Sequence, residues 1–312
     1  MPYIFGPVPS RRLGLSLGID LIPAKICTYD CLYCQVGRTT CKNVETKSFV
    51  PVPEVLRELE RKVEEIKPDT ITLAGSGEPT LHSQIDQVIA FIKKITGIKS
   101  AILTNGSLFW NEEIRSRVVR SDIIMPTLST SFEATFRAIH RPHSALTLKM
   151  LTEGLINLRQ IYPGRMFLEV VLLAGFNDSE KEIEGLKRVI DRVSPDKIQL
   201  NTVVRPPADY RAVSLGRKRL EEIKDFFGEK AEVIARTPLK QKKGPYDSWA
   251  STILEMAKRR PLKTVDIAHI LNLSLEETEK FVKSLLTKEA LYRQEHSGEV
   301  YYSKNPLDRK TL

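Results

Sequence analysis

Cys27, Cys31 and Cys34 stand in one stretch, Cys27-Thr-Tyr-Asp-Cys31-Leu-Tyr-Cys34, with three and then two residues between them. Thiols at that spacing can close on one metal centre from a single loop, and thiolates select iron-sulfur clusters or zinc over hard cations. Structural zinc takes four closed ligands, usually in paired Cys-x-x-Cys arms. The second arm is missing here: Cys41 is the only other cysteine, and none of the five histidines lies near the loop in sequence. A cubane iron-sulfur cluster held by three thiolates would leave one iron open to a small molecule. Cluster and zinc both stay open on these residues, with the missing second arm counting against zinc.

The elements that must position this loop are an alternation of strands and helices. An apolar stretch, Leu13 to Ile22, reads as a buried strand and ends just before the loop. Further strands are expected at Asp69–Ala74, Ser100–Thr104, Asp122–Leu128, Met166–Ala174 and Lys197–Val204. Helices are expected at Pro53–Ile66, Ile85–Ile95, Asn111–Val118, Phe132–Ile139, Leu146–Ile161, Ser179–Val193 and Ser214–Phe227. Such alternation means βαβ units and a parallel α/β sheet. The carboxyl ends of barrel strands are where chemistry sits, and the cysteine loop falls at one. Residues 1–12, with three prolines and a glycine, read as an extended arm, and Arg11 and Arg12 are either ligand contacts or a solvated pair.

Polar residues in these elements mark further candidates. Alternation puts Glu169, Val171 and Leu173 on one face of their strand, and Gln199, Asn201 and Val203 on one face of the next. Polar side chains inside apolar strands are costly unless satisfied. Glu169, Gln199 and Asn201 thus line a binding interior or form a structural network. Arg205, beside two prolines, could grip a substrate anion or be solvated. Thr130 with Glu133, and Ser179 with Glu182, stand in capping-box register. His140 and His143 flank Arg-Pro, with nothing nearby in sequence to complete a metal site.

A basic, proline- and glycine-bearing stretch, Arg236 to Pro245, breaks the pattern. The expected division is residues 1–235 as the barrel, 236–245 as a linker, 246–306 as a second domain and 307–312 as a tail. The second domain has helical stretches at Ser248–Lys258, Thr264–Leu271 and Leu275–Lys288, then a hairpin around His296-Ser-Gly298. Three helices and a hairpin resemble a winged helix, whose third helix enters a major groove in DNA readers. Glu276, Glu277 and Glu279 head that helix here and oppose phosphate, so DNA binding is disfavoured.

Length and composition set bounds. The chain has 312 residues, room for a barrel-sized domain and a smaller one. No apolar run is long enough to span a bilayer, and Pro7, Pro9 and the Arg11-Arg12 pair interrupt the start as no signal peptide would. Four cysteines, three of them in one loop, fit a reducing cytoplasm better than a disulfide scaffold. The formal charge is +9, and from Pro245 onward Lys/Arg and Asp/Glu number 11 and 10, leaving 37 and 29 before it. The excess lies before Pro245 and permits a polyanionic partner.

The cysteine motif, with Tyr33 beside the last cysteine, resembles the signature of the radical S-adenosylmethionine (SAM) enzymes. The resemblance implies a partial (β/α)6 radical SAM barrel, a [4Fe-4S] cluster on Cys27, Cys31 and Cys34, and SAM chelating the fourth iron through its amino and carboxylate groups. An electron from the cluster would cleave SAM to methionine and a 5′-deoxyadenosyl radical; a low-potential donor such as ferredoxin or flavodoxin would supply it. Gly75-Ser-Gly-Glu-Pro-Thr80 resembles the family's Gly-Gly-Glu-Pro segment, which receives the SAM amino group, so Gly77 and Glu78 carry over, with Ser76 replacing a glycine. Thr104, Asn105, Thr127 and Ser129 stand where the family presents polar groups to SAM, and Glu169 and Asn201 join them as cofactor-binding candidates. Position 129 departs from relatives that have an acid there.

The opening segments and the winged-helix tail resemble wyosine-base-synthase-like proteins, although Cys41 alone cannot hold the second cluster of true tRNA wyosine synthases. The expectation is a radical SAM enzyme with a macromolecular substrate such as tRNA. The alternatives are a peptide- or protein-modifying activase or maturase, and a non-catalytic iron-sulfur winged-helix regulator.

Overall fold

In a computed structural model, residues 2–10, 12–95, 97–234, 249–271 and 273–304 are described. Arg11, the expected linker 236–245 and the expected tail 307–312 lie outside them. Two antiparallel strands, β1 (Ile4–Ser10) and β2 (Gly14–Ile19), come first, and β3 (Ile26–Cys27) and β4 (Cys41–Lys42) bracket the cysteine loop. There follow α1 (Val52–Glu65), β5 (Thr70–Leu73), a 3-10 turn at Pro79–Leu81, α2 (Ile85–Ile95), β6 (Lys99–Thr104), α3 (Glu112–Val118) and β7 (Ile123–Pro126). Then come α4 (Glu133–His140), α5 (Leu148–Ile161), β8 (Arg165–Leu172), α6 (Glu180–Val193), β9 (Lys197–Thr202), α7 (Arg217–Phe227) and β10 (Ala231–Val233).

The sheet order is β1-β2-β5-β6-β7-β8-β9-β10, parallel from β2 onward. Neighbours follow chain order, as in a β/α barrel, and the order runs from β1 to β10 without closing. The six expected strands are present, with β1 and β10 added at the two edges. The arm expected at residues 1–12 is thus largely a strand. An edge position tolerates its prolines, and the register breaks between Phe5 and Val8, on either side of Pro7.

Helix faces explain the outer layer. Ile85, Val88, Ile89 and Ile92 of α2 are buried at spacings of three and four, as are Ile183, Leu186, Ile190 and Val193 of α6. All four residues of β5 are buried, as expected of a parallel strand covered on both sides. Inside the barrel, Leu13, Ala101, Ile123, Met125 and Phe167 form an apolar floor. Leu32, Ile139, Val171, Leu173, Val203 and Ala212 form a second apolar group that includes the cysteine loop. On β8, Glu169 lies between these two groups, on the inward face that alternation indicates.

The carboxyl-terminal segment comprises α8 (Trp249–Arg259), α9 (Thr264–Leu271), α10 (Leu275–Thr287) and the hairpin β11 (Tyr292–His296) and β12 (Glu299–Ser303). It has its own core around Ile253, Met256, Ile267, Val282 and Leu285, against which Val8 of β1 packs. Arg205 is neither solvated nor free to grip a substrate anion. Its guanidinium pairs with Asp266 at 3.0 Å and donates to Pro261 O at 3.1 Å, with both partners of the ion pair nearly buried. The Tyr301 hydroxyl donates to Val204 O at 2.6 Å. The segment therefore touches both β1 and the stretch leaving β9. Among the described residues, no helix is long and apolar enough to cross a membrane.

Candidate functional site

The cysteine loop leaves β2 through residues 20–25 and is closed by the pairing of β3 with β4, where Ile26 faces Cys41 and Cys27 faces Lys42. Its turns are fixed by Cys34 N donating to Cys31 O and Gly37 N to Cys34 O, each at 3.2 Å. Leu32 anchors it: Leu32 N donates to Ile139 O at 2.9 Å, and Leu32 O accepts from Asp209 N at 3.0 Å. Cys27, Cys31 and Cys34 are free and half-buried, while Cys41 is exposed.

Burial pushes the Cys27 thiol up to about 12, reinforced by the charge of Glu78 and opposed by the amides of Tyr29 and Thr28. Burial raises Cys31 and Cys34 as well, while the amides of Val36 and Gly37 and the Lys25 ammonium favour a Cys34 thiolate. Thiols that burial keeps protonated, yet that amides already approach, suit a cationic centre able to hold them as thiolates. The donor set fits an iron-sulfur cluster. Among the described residues, no group of three or more His, Cys, Asp or Glu side chains is arranged about a single ion.

Tyr33 and His140 close over the loop. His140 Nδ1 lies 3.3 Å from Cys31 Sγ and 3.3 Å from the Tyr33 hydroxyl, and burial lowers this histidine to about 3, leaving a neutral imidazole. Its helical position in α4 brings it to the loop from 109 residues away. His143 instead uses Nδ1 locally, accepting from Ala145 N.

The glycine turn stacks on the strand entering the loop. Lys25 N donates to Ser76 O at 3.1 Å and Glu78 N to Ile26 O at 3.3 Å. A Cβ on Gly77 would sit 2.0 Å from Ile26 O, so only glycine permits this approach. The buried Glu78 carboxylate accepts from Thr104 Oγ1 (2.6 Å), Thr80 Oγ1 (2.6 Å), Thr80 N (3.1 Å) and Asn105 N (2.8 Å). Burial raises its pKa while those four donors oppose the shift. Asn105 donates to Thr28 Oγ1 at 2.6 Å and lies 3.6 Å from Cys27 Sγ. Gly77, Glu78, Thr104 and Asn105 are thus brought together beside Cys27.

A second group forms deeper in the barrel. Glu169 pairs with Arg12 at 3.2 Å and accepts from Asn201 Nδ2 at 2.9 Å and Thr127 Oγ1 at 3.4 Å. Tyr33 bridges the two groups electrostatically: burial raises its phenol, then the charges of Cys31 and Glu169. Gln199, on the same face, turns to Glu232 of β10 at 2.8 Å. Ser129 stands apart, its hydroxyl accepting from Val171 N at 3.1 Å and its carbonyl from Asn177 Nδ2 at 2.7 Å.

The capping box of Thr130 with Glu133 is corrected: α4 starts after Phe132, and Thr130 Oγ1 accepts from Phe132 N at 3.0 Å just ahead of the helix while donating to Glu182 at 2.6 Å. Ser179 does cap α6. The sequence reading missed Asp20, Lys25 and Arg259, which act here across long separations. Asp20 carried a local signal only as the one acid in the expected strand Leu13 to Ile22, and Lys25 only in lying between that strand and the cysteines.

A partial β/α barrel with a three-thiol loop after its first parallel strand, and a glycine turn stacked against that loop, defines enzymes that work from a cluster at the barrel mouth. The sequence pattern described as the Radical SAM superfamily matches residues 21–186, and the chain belongs to that superfamily. It is a radical SAM enzyme, whose cofactors are SAM and a [4Fe-4S] cluster. The chain is 35% identical over 289 residues to a protein named GTPase Obg from Brachyspira hyodysenteriae, covering 91% of this chain but only 42% of that one. It is 31% identical to UPF0026 protein MJ1312 from Methanocaldococcus jannaschii, covering 99% and 98% of the two chains. Among solved structures, a radical SAM methyltransferase from Sphaerobacter thermophilus superposes with a TM-score of 0.54 at 16% identity over 70% of this chain and 65% of that one. TYW1 with a lysine-pyruvate adduct superposes at 0.52, with 17% identity over 73% and 76% of the two chains. At such identities the likeness is one of fold.

Proposed function

We propose that this chain reductively cleaves SAM at a cluster held by Cys27, Cys31 and Cys34 and directs the 5′-deoxyadenosyl radical onto a macromolecule, with RNA such as tRNA as the substrate class. The observation that carries this reading is the stacking of the Gly75-Ser76-Gly77-Glu78 turn on the strand that enters a loop of three free thiols. When bound, the cluster supplies the electron that breaks SAM's bond from sulfur to C5′.

The chain's own residues bind, aim and shield. Gly77 lets backbone approach the amino end of SAM, and Glu78 and Thr104 lock that turn to β6. Asn105 orders Thr28 beside Cys27. Thr127, Glu169 and Asn201, with Arg12, offer a polar layer to the rest of the cofactor, and Ser129 shapes the backbone behind them. Tyr33 and His140 keep water from the loop.

The division at residues 235 and 246, a winged-helix reading of α8 to β12, a ferredoxin- or flavodoxin-type donor and a cytoplasmic site belong to the same proposal. Support for RNA comes from the excess of Lys/Arg before Pro245. The exposed acids Glu276 and Glu277 at the start of α10 disfavour DNA, and they favour a second reading in which the substrate is a peptide or protein docked there. Comparing modified nucleosides of a deletion strain with its parent tests the first reading: a missing modification is expected, and an unchanged nucleoside profile contradicts it.

A further inference from the structure

We propose that the carboxyl-terminal segment is a positioning element for SAM, acting through Arg259, Asp20 and Ser76. This inference rests on the assignment of Gly75–Glu78 as the turn that receives the amino end of SAM.

Asp20 follows directly on β2 and faces the turn so closely that a Cβ on Gly75 would lie 2.3 Å from its carboxyl carbon. One oxygen of Asp20 accepts from Ser76 N at 3.1 Å, and the other accepts from Ser76 Oγ at 2.7 Å and from Arg259 Nε at 3.2 Å. Arg259 is the last residue of α8, and the side chains of the pair are 9% and 10% exposed. Its remaining donors reach Pro2 O at 3.1 Å and Glu255 O at 3.0 Å, and its guanidinium lies 4.6 Å from the centre of the Phe5 ring. That ring occupies the face of β2 where Gly18 has no side chain.

An arginine used only to fasten two surfaces has no need of the one carboxylate that also holds Ser76. Here the same Asp20 oxygen receives both, so the orientation of the carboxylate, and with it both Ser76 bonds, depends on the single Nε–H that Arg259 gives it while its other nitrogens hold Pro2 O and Glu255 O. Ser76 O in turn accepts from Lys25 N, two residues before Cys27. The turn is therefore held between the carboxyl-terminal segment on one side and the cysteine loop on the other. Arg205 with Asp266 fastens the same segment elsewhere, at the end of β9, and shares no partner with Ser76. It provides the internal control.

The test uses full-length, cluster-loaded protein under anaerobic conditions, with equilibrium dialysis of labelled SAM, iron and acid-labile sulfide content, and thermal midpoints. R259A and S76A are each expected to retain the cluster and weaken SAM binding about tenfold, equivalent to about 1.4 kcal/mol. The double variant is expected to be no weaker than either single one, because both cut the same link. R205A is expected to lower the thermal midpoint while keeping SAM affinity within about twofold, a shift too small for a lost charge-assisted hydrogen bond. If R259A folds poorly, R259K, which keeps the charge and loses the fork, is expected to fall between wild type and S76A. Wild-type affinity in R259A, full additivity with S76A, or equal weakening in R205A overturns the inference. Unchanged SAM affinity in G77A would instead overturn the assignment of the turn.

Discussion

Glu78 shows how a single carboxylate can tie a glycine turn to a neighbouring strand without spare capacity. Four donors from three residues converge on it, and its burial makes each one necessary. Glu78→Gln turns an acceptor toward those donors into an amide N–H, and the cost expected is about 1–3 kcal/mol in chemical unfolding. Gly77 is constrained by space. Gly77→Ala drives a methyl into Ile26 O, so a loss of about 1–3 kcal/mol and a lower iron content after anaerobic reconstitution are expected; full iron loading would contradict the packing. The three cysteines were legible in the sequence because they are neighbours in one loop. The pairing of Arg12 with Glu169, 157 residues apart, was not, because no local pattern encodes a contact made across a barrel interior. Glu169 and Asn201 were flagged as costly polar residues in apolar strands, and each satisfies the other.

Elements were easiest to read where periodicity was long. Ile85–Ile95 and Thr264–Leu271 match their expected bounds, whereas β10 went unseen because three residues with a central Glu232 carry too little pattern. Prolines hid β1, although an edge strand accommodates them. Between elements, the Arg205–Asp266 pair makes a pH-dependent fastening. Burial alone would raise Asp266, but the charges of Arg205 and Arg260 and the Lys263 amide hold it below the usual carboxylate value. A depressed folded pKa means stability that is fully present above the unfolded value of about 4 and is lost as pH falls through the folded one. Urea unfolding across about pH 2–6 should therefore show an acid limb that flattens in Asp266→Asn; an unchanged limb would mean that the pair contributes no linkage. At neutral pH, Arg205→Ala should cost about 3 kcal/mol, because it removes the ion-pair partner of a nearly buried carboxylate and leaves it the Lys263 amide and the charge of Arg260.

On the scale of the whole molecule, an open barrel carries the cysteine loop at its mouth, and the carboxyl-terminal segment is tied to the first strand, to Asp20 and to the exit of β9. The charge excess before Pro245 makes retention of RNA on a salt-graded column a further prediction: affinity should fall steeply as ionic strength rises, and salt-insensitive retention would favour a protein substrate. The parallel α/β sheet was legible from alternation alone, and its form as a partial barrel from the family resemblance. How the carboxyl-terminal segment is fastened was not, since Arg259 and Asp20 are 239 residues apart and the sequence marks neither as a partner of the other. The central claim is that three thiols at the barrel mouth hold a cluster that cleaves SAM. It is tested most directly by incubating anaerobically reconstituted protein with dithionite and SAM and quantifying 5′-deoxyadenosine. The nucleoside should accumulate with wild type and be absent with Cys31→Ala; a zinc-bearing, colourless protein that yields none would contradict the account.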